Sequence, residues 1–463
     1  MKGIVSILAL MVLFSLEGYS QFSQTITTSD GKVILKQLSN PSFASKANHA
    51  SLSIDTIWVN QEVVFQQIDG FGYTLTGGSA QLLHQLPKQK RAALLKEIFG
   101  NGPDDLKVNF LRISMGASDL DATVFSYDDL PIGSEDPALT KMSLSKDQEH
   151  LIPILKEIKQ IQPNLKLIAT PWSPPVWMKD NGKSMGGHLL SKFYNVYANY
   201  FVKYIQLMQQ EGLHIHAVTI QNEPEHGGNN PSMLMTALEQ NDFIKNHLGP
   251  AFRQEKLSTE IVIWDHNADN PNYPIEILND SVAKSYISAT AFHLYAGDAS
   301  ALSKVHQAHP DKKIYFTEQW TGAKGSFEED FMWHMKQVVI GTMANWSSMV
   351  LEWNLANDLN FGPHTPGGCT ECLGALTIDG ALIQRNVSYY IIGQVSKFIP
   401  TGSKRIETLS RHPQIHSIAF KTPAGKKVLL VLNDSKESIV TIDFEQKKYN
   451  FTLPAKSAST IVW

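Results

Sequence analysis

Two patterns of hydrophobic and polar residues divide the chain. Near both ends these residues alternate in short segments, as in SLSIDTIWV from Ser51 and SIVTIDFEQ from Ser438. Alternation with a period of two is typical of antiparallel strands that have one solvated face. Between the ends, near-continuous apolar segments alternate with stretches of helical periodicity. The pattern therefore predicts β-rich ends that flank a region of alternating strands and helices.

The central region contains eight apolar segments of strand length. They begin at Val64, Val108, Lys166, His216, Thr259, Tyr286, Lys313 and Ser348. Strands of this kind that are joined by helices form parallel sheets covered on both faces. Eight strand and helix units over about 330 residues match a (β/α)8 TIM barrel in number and in size.

The two β-rich ends belong together in this interpretation. The N-terminal segment is too short to fold alone, so we predict a β-sandwich that is built from both termini and attached to the barrel. This α/β chain would consist of an export signal, N-terminal sandwich strands, the barrel and C-terminal sandwich strands. The predicted ranges are, in that order, 1–20, 21–62, 63–398 and 399–463.

The first twenty residues have the composition of a secretory signal. Lys2 precedes an apolar run from Ile4 to Leu16, and small residues mark a cleavage site between Ser20 and Gln21. The run is shorter than the about 20 apolar residues that span a bilayer, and no later run approaches that length. We therefore expect an exported protein, periplasmic or extracellular, without stable membrane insertion.

Composition narrows the possible partners and cofactors. The 40 Lys and Arg residues against 44 Asp and Glu give a net charge of -4, so nothing indicates a nucleic-acid partner. The two cysteines, Cys369 and Cys372, fit a local disulfide or two free thiols. A zinc site would need two further Cys or His ligands at short spacing. We expect no metal and no cofactor, and the oligomeric state stays open.

Polar and aromatic residues gather at the predicted C-terminal ends of the barrel strands, where barrel enzymes place their functional groups. These positions hold Arg112, Trp172, Asn222, Glu223, Asp265, His266, His293, Tyr295, Glu318, Trp320, Trp353 and Asn354. Any one of them alone is more simply a solvated loop residue or a packing residue. Their joint placement at one end of the barrel indicates a site there.

Two of these residues, Glu223 and Glu318, form the pair that cleavage of a glycosidic bond requires. One carboxyl protonates the leaving oxygen, and the other attacks the sugar carbon or stabilises its positive charge. Tryptophan faces pack against sugar C–H groups, while Asn, His and Asp bind hydroxyls. The sequence contains neither a complete phosphate-binding loop nor a G-x-S-x-G motif. A carbohydrate-binding barrel without activity is the alternative from another class.

Eight sequence blocks occur in the order of a known family. They are IDGFG, LRISMGASDLD, TPWSPPVWMK, TIQNEPE, FHLY, YFTEQW, LEWNLA and GQVSKFIPTGSKRI. Together they resemble the motifs of glycoside hydrolase family 30, and the resemblance extends from about Ser51 to Trp463. It implies the barrel and sandwich inferred above and a retaining hydrolase of β-glucosidic bonds.

The resemblance implies that Glu318 is the nucleophile and Glu223 the general acid/base of a double displacement. The charge of Glu318 would then raise the pKa of Glu223, and the carboxyl groups would lie about 5 to 5.5 Å apart. The remaining matched residues hold the sugar or support the carboxylates. They are Asp119, Trp172, Asn222, His293, Tyr295, Trp353 and Arg112, of which only Asp119 was not also found at a strand end.

The substrate expectation comes from two blocks, SMGASD and PWSPPVWMKDNG, which resemble the glucosylceramidase and β-1,6-glucanase branches of the family. With an export signal, they favour an endo-β-1,6-glucanase acting on a β-linked glucan. The alternative is a glucosylceramidase that releases glucose and ceramide. The loop TPGGCTECLGALTIDG departs from the lysosomal glucosylceramidase pattern. Endo or exo action stays open.

Overall fold

The computed structural model describes residues 22–38 and 55–463, and the predicted export signal lies outside them. Eight parallel strands close into a barrel in chain order, and the eighth pairs with the first. The barrel strands are Gly70–Leu75, Phe110–Ser114, Lys166–Thr170, Ala217–Thr219, Glu260–Ala268, Ile287–Gly297, Lys313–Glu318 and Ser347–Glu352. The predicted (β/α)8 barrel is confirmed.

The first barrel strand begins later than the prediction from Val64. The strand Thr56–Gln67 belongs to the sandwich, where it pairs with Lys404–Ser410 and places Gln67 opposite Lys404. The predicted boundary between residues 62 and 63 therefore lies inside a sandwich strand. Val64 is 47% exposed, so its apolar side chain belongs to an outer face of the sandwich and not to a barrel core.

Amphipathic helices surround the barrel with one face buried, whereas the helix Val387–Ser396 is buried on nearly all sides. In Leu151–Ile161, for example, Ile154, Leu155 and Ile158 are buried at the spacing expected of an amphipathic helix. The α-helices of the described residues are Gly77–Gln85, Lys88–Phe99, Leu151–Ile161, Tyr194–Gln210, Ala237–Phe243, Gly249–Gln254, Asn272–Asn279, Ser281–Lys284, Ser300–Ala308, Phe327–Trp333, Thr342–Ala344 and Val387–Ser396. Short π-helical segments are Ile244–Leu248 and His334–Gly341, and 3-10 segments are Val176–Met178 and Ser191–Phe193.

Side chains fill the interior of the barrel. The buried cluster inside it consists of Phe110, Ile168, Ala217, Val262, Ala289, Ala291, Tyr315, Met349 and Leu351. A barrel with a packed interior has no pore, so a ligand can enter only among the loops at one end. Short strands among those loops are Thr321–Gly322, Ala356–Asn357, Cys372–Leu373, Leu376–Asp379 and Leu382–Arg385.

Nine strands within residues 22–38 and 55–463, taken from both ends of the chain, form the second unit. Their order in the sheet is Lys36–Gln37, Ser23–Thr28, Ser457–Val462, Lys427–Asn433, Ile415–Lys421, Lys404–Ser410, Thr56–Gln67, Ser438–Phe444 and Lys447–Leu453. The ring centroids of Phe22, near one edge, and Phe451, on the other edge strand, are 5.5 Å apart. The sheet therefore folds over itself and encloses a core, which confirms a β-sandwich that includes strands from both ends.

A buried glutamine joins the two units. Gln394, on the helix Val387–Ser396, donates to Thr25 O at 3.1 Å and to Thr460 Oγ1 at 2.8 Å, and accepts from Thr27 Oγ1 at 2.9 Å. Its amide is thus satisfied by both the N-terminal and the C-terminal strands of the sandwich.

Among the described residues, no helix has the length and apolar character needed to cross a membrane.

Truncation of one isoleucine tests whether the N-terminal strand is part of the sandwich core. Ile57 is fully buried, so Ile57→Ala should lower the free energy of unfolding by about 2–5 kcal/mol. Ile439 is 63% exposed on a sandwich strand, and Ile439→Ala should cost less than about 1 kcal/mol. Urea unfolding followed by circular dichroism measures both, and equal losses would contradict this account of the core.

Candidate active site

A cavity of about 290 Å³ opens at the C-terminal ends of the barrel strands. Its lining residues are Asp119, Trp172, Glu223, His226, Asn229, His266, Asn267, Tyr295, Glu318, Trp320, Trp353, Cys369 and Cys372. Six of the nine predicted site residues are in this lining. The other three lie behind it: Arg112 and His293 bond to the carboxylates, and Asn222 accepts a hydrogen bond from Arg112.

A fully buried arginine organises the floor of the cavity. Arg112, on the second barrel strand, donates from Nη1 to Glu318 Oε2 and from Nη2 to Asn222 Oδ1 at 2.6 Å. Nη2 also donates to Asp265 Oδ2 at 2.9 Å, and Nε donates to Thr170 Oγ1 at 3.2 Å. A planar guanidinium can make these bonds at once because its donors form a rigid fork. One residue therefore ties together four barrel strands or their ends.

Glu318 is held as an acceptor of hydrogen bonds. It accepts from Arg112 and, at Oε1, from the Tyr295 hydroxyl at 2.9 Å. Burial raises the pKa of Glu318, and the positive charges of His293 and Arg112 oppose that rise without cancelling it. Burial and the Glu318 charge keep the pKa of Tyr295 well above its ordinary value, so its hydroxyl remains a donor. These bonds fix both oxygens of the Glu318 carboxylate.

Glu223 follows the short fourth strand in an uncommon backbone conformation. Its φ is +45°, a region that residues other than glycine seldom adopt, and its N–H donates to Asp265 O at 3.0 Å. Asn222 is fixed as well, because its N–H donates to Pro171 O at 2.9 Å. The fourth strand therefore stops at Thr219, short of the QNEP motif, and the turn aims the glutamate at the cavity.

His293 connects the two glutamates. Its Nδ1 lies 3.0 Å from Glu223 Oε1 and 3.8 Å from Glu318 Oε1, while its Nε2 lies 3.2 Å from Asp265 Oδ1. Burial lowers the pKa of His293, but the charge of Glu318 and the bonds to Asp265 and Glu223 raise it to about 9. The imidazole is thus protonated at neutral pH and donates to Glu223.

This proton reverses one expectation from the sequence. Burial raises the pKa of Glu223, but the hydrogen bond and positive charge of His293 outweigh it and leave the pKa below its ordinary value. The predicted rise attributed part of the shift to repulsion from Glu318 and did not include a bond from His293. Since the proton resides on His293, the pair of Glu223 and His293 still holds one proton next to the cavity.

Asp119 forms one wall of the cavity together with the loop that carries the two cysteines. Its Oδ2 accepts from the Cys369 N–H at 3.2 Å, and its carbonyl accepts from the Thr365 N–H at 2.9 Å. Burial and the charge of Glu318 raise the pKa of Asp119 to about 7. Cys369 and Cys372 are joined in a disulfide, so of the two states that the sequence left open the structure contains the disulfide.

Two tryptophans complete this wall. The rings of Trp172 and Trp353 have centroids 5.7 Å apart, and the Arg112 guanidinium lies 4.7 Å from the Trp172 centroid. Trp172 and Trp353 pack in one cluster with Leu120 and Cys372, against which Trp320 and Cys369 also pack. The aromatic faces, the disulfide and Asp119 therefore form one continuous surface.

Sequence reasoning assigned no role to several residues of the lining. His226 and Asn229 lie in the loop after Glu223, where no strand pattern exists, although the EPEH block could have drawn attention to His226. His266 and Trp320 were noticed at strand ends without a role. Cys369 and Cys372 reach the cavity from a loop more than a dozen residues beyond the eighth strand.

Glu223, His293 and Glu318 are also the group of described residues whose ligand atoms are close enough to hold a metal ion. Their donor atoms are already used, since His293 Nδ1 bonds to Glu223 and Glu318 accepts from Arg112 and Tyr295. The guanidinium of Arg112 beside Glu318 opposes a second cation. The arrangement suits proton handling better than metal binding.

Two family models match nearly the whole described chain. They are the glycosyl hydrolase family 30 TIM-barrel domain, over residues 68–399, and the glycosyl hydrolase family 30 β-sandwich domain, over residues 402–461.

Known proteins resemble the chain over most of its length. An endo-1,6-β-D-glucanase of Neurospora crassa is 37% identical over 351 residues, which are 73% of this chain and 71% of the relative. A putative glucosylceramidase of Caenorhabditis elegans is 30% identical over 400 residues, or 81% of this chain and 76% of the relative. The solved endo-β1,6-glucanase BT3312 has a TM-score of 0.87 and 34% identity, covering 96% of this chain and 99% of its own.

Removal of the buried arginine should destabilise the whole protein. Arg112→Met would leave Asp265 and Glu318 buried without their cation, so the free energy of unfolding at pH 7 should fall by about 3–5 kcal/mol. In the control Lys192→Met, the broken ion pair with Glu135 is about half exposed, and the change should stay below about 1 kcal/mol. Urea unfolding measures both variants, and an equally small loss in Arg112→Met would contradict the central role of this cation.

Proposed function

The chain belongs to glycosyl hydrolase family 30, and we propose that it cleaves β-1,6-linked glucan within the polysaccharide by a retaining double displacement. The observation that carries the mechanism is the spacing of two carboxylates in the cavity. An oxygen of Glu223 and an oxygen of Glu318 lie within 4.8 Å of each other. This separation is closer to the roughly 5 to 5.5 Å between the carboxyl groups of retaining enzymes than to the roughly 6.5 to 9.5 Å that inverting enzymes need to accommodate a water.

Glu318 is the proposed nucleophile. Arg112 and the Tyr295 hydroxyl bind its two oxygens, so the carboxylate is held in one orientation for attack on the sugar carbon. The hydrogen bonds also stabilise the carboxylate as a leaving group when the glycosyl ester is later hydrolysed. Orientation before the reaction contributes to the rate because little entropy is lost in the transition state.

Glu223 is the proposed general acid, with His293 as the proton store behind it. The one proton of the pair passes from His293 Nδ1 to Glu223 along their 3.0 Å hydrogen bond, and Glu223 passes a proton to the leaving oxygen, so the histidine ends neutral and Glu223 ends ionised. The charge of Glu318 is the strongest influence that raises the pKa of His293. Because ester formation removes that charge, the imidazole then releases its proton more easily.

The second half of the reaction returns the proton. With His293 neutral, Glu223 acts as a base toward a water that attacks the sugar carbon, and the proton passes back to His293. The Glu318 carboxylate is released at the same step and raises the pKa of His293 again. Protons and charges therefore balance over one cycle without any group from outside the cavity.

The wall of Asp119, Trp172 and Trp353 is the proposed site for the sugar unit that forms the ester. Asp119 accepts hydrogen bonds from hydroxyls, and the tryptophan faces pack against the C–H groups of the ring. The Oδ1 atom of Asn222 is bound by Arg112, which leaves its NH₂ group to donate to a sugar hydroxyl. Such contacts hold a glucosyl unit but do not by themselves select its linkage.

The choice of glucan over glucosylceramide rests on similarity and on the mouth of the cavity. The chain is more similar to the Neurospora endo-1,6-β-D-glucanase than to the Caenorhabditis glucosylceramidase. Tyr295 is the one exposed large apolar residue of the described chain that lines the cavity, and its hydroxyl faces Glu318. A ceramide would bind better to an apolar mouth.

Residues 1–20 support the proposal that the enzyme is exported and cleaved near Ser20 and Gln21. Glucan is a polymer outside the cytoplasm, so an exported hydrolase would meet it there. Mass determination of the protein secreted from its own host cell tests the cleavage site.

Replacement of the two glutamates tests the mechanism. Glu318→Gln should reduce hydrolysis of linear β-1,6-glucan below about one-thousandth, since the nucleophile is lost. Glu223→Gln should lose about 10²–10⁴-fold on glucan but far less on 2,4-dinitrophenyl β-glucoside, whose leaving group needs no proton. Chromatography of the products measures both, with Glu437→Gln on the exposed sandwich surface as control.

The same experiment separates the candidate functions. Gentio-oligosaccharides from the glucan that vanish with Glu318→Gln support the endo-β-1,6-glucanase. Glucose released only from glucosylceramide would contradict it in favour of the glucosylceramidase, and binding of glucan without any cleavage would indicate a carbohydrate-binding barrel.

Loss of the disulfide should act on activity through Asp119. The variant with Cys369→Ser and Cys372→Ser loses the constraint that holds the Cys369 N–H against the Asp119 carboxylate. A hydrogen bond to a charged group contributes about 1.5–3 kcal/mol, so kcat/KM on glucan should fall about 10–100-fold. In an Asp119→Asn background the same cysteine replacements should cost much less, and an equal loss in both backgrounds would contradict this route.

A further inference from the structure

The cavity has a second wall, which the contacts proposed so far do not use. It is formed by His266 and Asn267 at the end of the fifth barrel strand and by His226 and Asn229 in the loop after Glu223. Trp320 also lines the cavity, but it packs against the wall of Trp172 and Trp353 and is half-buried. None of the side chains of His266, Asn267, His226 and Asn229 is acidic or permanently charged, so this wall offers imidazole and amide groups that can form hydrogen bonds with sugar hydroxyls.

The wall that contains His266 adjoins Glu223, whose N–H donates at 3.0 Å to the carbonyl of Asp265, the residue before His266. The charge of Glu318 raises the pKa of Asp119 more than the charge of Glu223 does. Among the charged groups around His266, Glu223 has the largest effect on the pKa of His266. Both His266 and His226 in turn lower the pKa of Glu223. The loop geometry agrees, since the His226 N–H donates to Glu223 O at 2.8 Å. The histidine wall is therefore on the side of the general acid.

A general acid gives its proton to the oxygen of the leaving group. In a retaining reaction, the leaving group therefore lies beside Glu223, and the sugar that becomes the ester lies toward Glu318. A leaving group that is itself a sugar would bring its hydroxyls against the wall that contains His266. At that wall the enzyme would contact the sugar unit that an oligosaccharide has and a glucoside with another leaving group lacks.

His266 is built as a neutral hydrogen-bond donor. Its side chain is nearly buried beside Trp264, with ring centroids 5.0 Å apart, and burial lowers its pKa to about 4. The Nδ1 atom is inaccessible and has no hydrogen-bond partner among the described residues. A buried N–H without an acceptor is rarer than a buried acceptor without a donor, so the proton belongs on Nε2. Nε2 is the ring nitrogen left accessible on the cavity side.

Asn267 offers a second donor on the same wall. Its Oδ1 accepts from the Tyr295 N–H at 3.0 Å, and its backbone carbonyl accepts from Trp264 Nε1 at 3.0 Å. The side chain is thus fixed with its NH₂ group uncommitted to the protein part described by the structure. Two donors from consecutive residues on one wall suit sugar hydroxyls, which accept as well as donate.

We propose that this wall is a binding site for the sugar unit on the leaving side of the cleaved bond, with His266 Nε2–H as its principal donor. The proposal rests on the function given above, and it names the chemical class that the leaving group must have, a glucosyl unit with free hydroxyls. His266 contacts the leaving sugar and takes no proton in the reaction. It therefore sets the preference for a glycan over a glucoside with an apolar leaving group.

The test compares two substrates that share the glucosyl unit and differ only in the leaving group. With a gentio-oligosaccharide, His266→Ala should lower kcat/KM about 10–100-fold, because a fixed donor to a hydroxyl is lost. With 4-nitrophenyl β-glucoside, the same variant should stay within about twofold of the wild type. His266→Gln, which restores a neutral donor, should recover part of the loss on the oligosaccharide. His214→Ala, on an exposed position before the fourth strand, is the control and should change neither activity.

Each outcome decides a different question. An equal loss on both substrates would overturn the proposal, since His266 would then act through Glu223 or through folding. No loss on either would overturn it as well, because the wall would not bind the leaving sugar. A wild-type enzyme that cleaves the aryl glucoside but no gentio-oligosaccharide would refute the proposed glucanase function instead. Retained activity on the aryl glucoside shows at the same time that the variant is folded.

Discussion

The buried guanidinium of Arg112 is the interaction on which the site depends. It is fully buried and bonds directly to Asp265, Glu318 and Asn222, so three strand ends that come from distant parts of the chain have one fixed geometry. Burial of a lone carboxylate is costly, and two side by side would repel each other. The arginine makes their burial possible, and the barrel in turn makes burial of the arginine possible because each donor finds an acceptor.

The charge balance around Arg112 favours the chemistry. With the carboxylates of Glu223, Asp265 and Glu318 ionised and Arg112 and His293 protonated, the cluster has one net negative charge. A positive charge that develops on the sugar carbon is stabilised there without reorganisation of the protein. After ester formation the cluster has lost one proton and gained the glycosyl cation, so its net charge is the same. The net charge around the sugar carbon is therefore the same at the start of both half-reactions.

Strand-end reasoning located most of the site because barrel geometry brings those positions together whatever the loops do. Glu223, Glu318, His293 and Arg112 were all found in this way. Asp119 came from family resemblance alone, since it lies in an irregular loop and is held by backbone N–H groups from residues 365 and 369. Hydrophobic pattern cannot predict such a contact between two loops. Hydrophobic pattern also could not predict that the sandwich strand continues to Gln67, because Val64 is apolar, like a core residue, and yet exposed.

The direction of the Glu223 pKa shift shows what a linear sequence leaves undetermined. A pair of acids predicts mutual repulsion, and that expectation is physically sound for two isolated carboxylates. The sign depends on a third group, because Nδ1 of His293 lies 3.0 Å from Glu223, nearer than the 3.8 Å to Glu318. The hydrogen bond from His293 lowers the pKa of Glu223, whereas repulsion between the two glutamates alone would raise it. The sequence therefore predicts which residues stand at the strand ends. Which of them holds the proton depends on the distances between their side chains, and these come only from the structure.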